Sequence, residues 1–92
     1  MGAQPKSEQD EQERLTLIAL SILAGGRTLY VEAQASFLRR AGSPQTPDAF
    51  ARLVEHLIAE KLIDFESDPT GQMPPPGIIA LRLRPRGMAR LK

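Results

Sequence analysis

Ninety-two residues with 41% hydrophobic side chains, 25% charged ones and a formal net charge of +1 describe one ordinary globular domain with room for a single core. So small a net charge excludes bulk attraction to polyanions, and the lack of cysteine excludes disulfides, thiolate metal sites and a thiol nucleophile. The longest apolar run, near Leu15 to Ala24, is interrupted by Thr16 and Ser21 and is too short for a membrane span, so the chain reads as soluble, unexported and cytoplasmic.

Met1 to Lys6 is small and polar, contains Pro5, and reads as a flexible arm. Ser7, followed by Glu8, Asp10 and Glu11, is a helix start, because a hydroxyl cap precedes carboxylates in the first turn. That first helix runs to about Ala24 and stops at Gly25-Gly26. Its apolar residues cover more than one face, which predicts a second neighbour besides the core: a homodimer through Leu15, Ile18 and Ile22. Thr28 can cap a second helix from Leu29 to Arg40, with Tyr30, Ala33, Phe37 and Leu38 clustered; Leu29 and its neighbours could instead form a short strand. Gly42, Ser43 and Pro44 then make a turn.

The third helix carries the clearest local signals. Thr46 can cap free amides, Pro47 suits the first helical position, and Asp48 favours the positive helix end. Phe50, Leu53, Val54, Leu57, Ile58 and Leu62 follow at steps of three and four, one stripe that must pack on a core. The opposite face carries Asp48, Arg52, Glu55, His56 and Glu60. Beyond it, Ile63 and Phe65 alternate with acids, and Ile79, Leu81 and Leu83 alternate with Arg82 and Arg84, so two strands should pair as an antiparallel hairpin over about 62–84. Charge is segregated along this order: −2 over residues 1–14, +2 over 15–47, −4 over 48–68 and +5 over 69–92.

Three stretches carry a resemblance to the winged helix-turn-helix domains of small bacterial transcription regulators, of the multiple-antibiotic-resistance and PadR-like types. Leu53 through Leu57 to Ala59-Glu60-Lys61-Leu62-Ile63 looks like a recognition helix running into the first wing strand. Asp68-Pro69-Thr70-Gly71 resembles the wing turn, and Leu83-Arg84-Pro85-Arg86-Gly87 is similar to the Leu-Thr-Pro-x-Gly that closes the wing. Together they cover roughly residues 28 to 91. The sequence departs from the pattern at Lys61, where a glycine is usual, and between Ser67 and Ala80, where no basic residue occurs.

The resemblance implies a mainly α chain with a small β-hairpin, an α+β winged helix of order α-α-α-β-β, occupying residues 7–92 as one domain behind the arm at 1–6. It implies a DNA-binding regulator whose third helix enters the major groove of double-stranded DNA. Ser43, Gln45 and Thr46 at the start of that helix, with Arg52 and His56 along it, are then the candidate readers. Asp48, Glu55 and Glu60 oppose a phosphate backbone, so an ordinary solvated face is the competing account. Arg39 and Arg40 suit phosphates or simply a helix C-terminus. Arg82, Arg84, Arg86, Arg90 and Lys92 form a basic patch, for phosphates or for guarding an edge strand. A protein-interaction module is the alternative function, with Pro74-Pro75-Pro76 either a partner-binding segment or a stiff spacer. His56 stands alone and the acids lack calcium-loop spacing, so no metal, cofactor or enzymatic activity is expected.

Overall fold

The computed structural model describes residues 3–72 and 77–92. The Pro74–Pro76 segment, assigned above to a partner or a spacer, lies outside the described residues. Helix α1 spans Ala3–Ile22, starting earlier than the Ser7 signal. Pro5 falls in its first turn, where a missing N–H costs no intrahelical bond, and the backbone of residues 3–6 is therefore helical rather than arm-like. A short 3-10 turn, Leu23–Gly25, closes the helix, with the Gly26 amide donating to the Leu23 carbonyl at 3.1 Å.

Strand β1, Thr28–Leu29, takes the first residues expected of the second helix. The Thr28 hydroxyl donates to the Gly26 carbonyl at 3.0 Å instead of capping. Helix α2 therefore runs Tyr30–Ala41. It ends where the Gly42 amide reaches the Leu38 carbonyl at 3.0 Å, with Gly42 at φ 74, a conformation glycine adopts without a side-chain clash.

Helix α3, Pro47–Ala59, begins as its sequence indicates: Thr46 Oγ1 accepts from the Ala49 amide at 3.1 Å and Pro47 occupies the first turn. Its stripe is inward, with Phe50, Leu53, Val54, Leu57 and Leu62 buried. At the far end the Lys61 amide donates to the Ile58 carbonyl and the Leu62 amide to the Leu57 carbonyl, both at 3.0 Å. This pair of bonds requires a left-handed residue at position 61, and Lys61 adopts φ 62.

Strands β2, Ile63–Ser67, and β3, Ile78–Leu83, pair antiparallel as expected. The sheet has three strands, not two: β1 also pairs antiparallel with β3, giving the order β1-β3-β2. Arg82 therefore lies on the central strand, one residue beyond its pairing with β1. Phe65, expected inward beside Ile63, is 42% exposed on the edge strand β2. Pro85 at a helix start nucleates α4, Pro85–Arg90, so the tail is a fourth helix. The observed order is α-β-α-α-β-β-α in place of α-α-α-β-β: a mainly helical α+β chain with a three-stranded antiparallel sheet.

The core lies where α1, α2 and α3 meet the sheet. Phe37, Phe50, Leu20, Leu57, Ile63, Leu81 and Val54 are its most deeply buried side chains. Phe50 is stacked at an angle between Tyr30, at 5.4 Å between ring centres, and Phe37, at 5.0 Å, separations at which tilted rings attract. Leu15, Ile18 and Ile22 are half-buried and pack against this same core. Among the described residues no helix is long and apolar enough to cross a membrane.

Candidate nucleic-acid interface

Helices α2 and α3 are joined by the turn at residues 42–46, so that the start of α3 presents Ser43, Gln45 and Thr46 together. Ser43 and Thr46 are exposed and Gln45 is half-buried. Thr46 has already given one lone pair to the Ala49 amide, which leaves its hydroxyl proton for another acceptor. Further along the same helix, Arg52 and His56 stand exposed. An open cleft of about 300 Å³ brings Gln45, Arg52 and His56 to one place. Its other lining residues are Ala49 and Leu53 of α3, Phe37 of α2, and Gln12 and Leu15 of α1.

The arginines divide by what already occupies them. Arg90 of α4 is bonded to Glu13 of α1 at 2.6 Å, so one expected phosphate contact is drawn away into an interhelical ion pair. Arg40 donates to the Ser21 hydroxyl at 3.1 Å and Arg39 to the Ser36 hydroxyl at 3.2 Å. Arg27 binds both oxygens of Glu66, at 2.6 and 3.0 Å. That fork holds the Glu66 carboxyl below the usual carboxylate range, chiefly through its hydrogen bonds, with the Arg27 charge and a contribution from Arg82 adding to it. By contrast Arg52, Arg82, Arg84 and Arg86 are exposed and, among the described residues, form no ion pair.

Arg84 sits at the exit of α3, since its amide donates to the Leu62 carbonyl at 3.0 Å. Arg82 lies opposite Asp64 in the strand register. No protein-family model, curated protein or solved structure matches this chain. Among the described residues no group of three or more His, Cys, Asp or Glu could hold a metal ion.

Two features of the site escaped the sequence reading. Gln12 and Leu15 join the α3 face only because the packing of α1 brings its middle alongside, which no local pattern encodes. The turn after β2 is ordered by an acid, not a base: Asp68 accepts from the Thr70 amide and hydroxyl and from the Gln72 amide, at 2.7–3.0 Å.

Proposed function

We propose that this chain is a winged helix-turn-helix protein that binds double-stranded DNA as a small transcriptional regulator. The α2-turn-α3 unit followed by the β2-β3 hairpin, with β1 closing on β3, supports the winged-helix reading. One observation carries the DNA reading: Gln45, Arg52 and His56 share one open face, while Arg52, Arg82, Arg84 and Arg86 are exposed and, among the described residues, form no ion pair. Helix α3 then lies in the major groove, where Gln45 and Arg52 have the donors and acceptors to read base edges. Arg84 and Arg86 hold phosphates beside the helix exit, and Arg39 and Arg40 do so once released from their serine partners. Homodimerisation would use what remains exposed of Leu15, Ile18 and Ile22, and sedimentation at micromolar concentration should give the mass of two chains.

The test is a titration of labelled duplex at 50 and 200 mM salt, values set by the usual range of such measurements. Neutralising about four phosphates predicts a slope near −3.6 in log affinity against log salt, an affinity loss of about 100-fold between the two conditions. Absence of binding at the lower salt would sink the proposal. It would put forward a second reading, a protein-contact module, which the exposed acids Asp48, Glu55 and Glu60 on α3 favour.

A further inference from the structure

The cleft between α1 and α3 has the size of a small-molecule site. Its floor is apolar, from Leu15, Phe37, Ala49 and Leu53, and its polar lining is Gln12, Gln45, Arg52 and His56. Its volume of about 300 Å³ falls at the lower end of small-molecule sites, which combine apolar walls with a few orienting polar groups. Among the described lining residues none is an acid, although Asp48 and Glu55 lie within one turn of Arg52 on the same helix. Arg52 is thus the one charged group among the described lining residues.

The two carboxamides narrow the chemistry further. A carboxamide donates and accepts at once, which suits a secondary amide, a group with one N–H and one carbonyl. Arg52, free of ion pairs among the described residues, matches a carboxylate by its planar fork. We propose that this cleft binds a small N-acyl α-amino acid with an aliphatic side chain. The side chain lies on Leu15 and Leu53, the amide between Gln12 and Gln45, and the carboxylate against Arg52. Occupancy withdraws Gln45, Arg52 and His56 from nucleic acid, so the two proposals are linked. A titration without DNA reads the ligand alone and leaves the DNA reading to its own test.

N-acetyl-leucine titrated into the ¹⁵N-labelled full chain should shift the amides of Gln12, Leu15, Gln45, Ala49 and Leu53 and leave the sheet unchanged. N-acetyl-leucinamide, which lacks the charge, and the Arg52→Gln variant should each weaken binding about tenfold or more. Ala49→Leu should abolish it by filling the floor without altering charge, and thermal melts establish that both variants fold. Equal binding of acid and amide would overturn the proposal, as would shifts spread along the chain. Acetate producing the same shifts would mean an adventitious anion only. Tighter binding by a hexapeptide ending in leucine would also overturn it, in favour of a protein terminus.

Discussion

A methyl group at position 87 has nowhere to go. A Cβ built on Gly87 would collide with the Leu62 carbonyl oxygen and approach Leu83 Cδ2 to 3.0 Å, and the first of these is backbone that cannot rotate aside. Gly87→Ala should therefore cost about 2–3 kcal/mol, as overpacking does in rigid surroundings, measured by urea denaturation. Tyr30 argues the opposite way. Its ring is 6% exposed and its hydroxyl is buried with no hydrogen-bond partner among the described residues. Burial first, and the charge of Glu55 second, push its pKa above the usual phenol value. Removing an unsatisfied hydroxyl relieves a desolvation cost of about 1–3 kcal/mol while the ring contacts to Phe50 survive. Tyr30→Phe is expected to raise the thermal midpoint, and a lower midpoint would show that the hydroxyl has a partner in solution.

Among the elements, α3 was the most legible because its signals are local: a threonine cap, a proline at the first position and an apolar stripe lie within seventeen residues of sequence, Thr46 to Leu62. Strand β1 was legible only as an alternative, since two residues become a strand by pairing with Leu81 and Ala80, half the chain away. Helix α4 was missed because six residues hold too little periodicity to register. The site divided in the same manner. Gln45, Arg52 and His56 follow from the turn and helix positions, whereas the Arg90–Glu13 pair joins residues 77 apart in sequence. The departure at Lys61 is itself informative. A left-handed side-chain-bearing residue is strained by about 1–2 kcal/mol, and glycine relieves this at an entropic cost of about 0.5–1 kcal/mol. Lys61→Gly should thus stabilise the chain by about 0.5–1 kcal/mol in equilibrium unfolding, and a destabilised variant would contradict the cap geometry.

At the scale of the whole molecule, two ion pairs among the described residues join distant segments. Arg27 ties the loop before β1 to β2 through Glu66, and Arg90 ties α4 to α1 through Glu13. Because the folded pKa of Glu66 is depressed, the stability it contributes is present above the unfolded value and is lost as pH falls through the folded one. The pair is exposed and its effect is correspondingly small. Glu66→Gln is expected to lessen the drop in thermal midpoint on acidification through the carboxylate range while leaving the neutral-pH sheet intact. An unchanged acid limb would mean the fork seen here does not persist in solution.

The bond from the Arg84 amide to the Leu62 carbonyl, with Gly87 pressed against that same carbonyl, fastens the carboxyl-terminal segment to the base of α3. That segment works as a bracket for the helix's tilt. Cutting the chain at Leu83 would strand one buried oxygen and let the helix pivot.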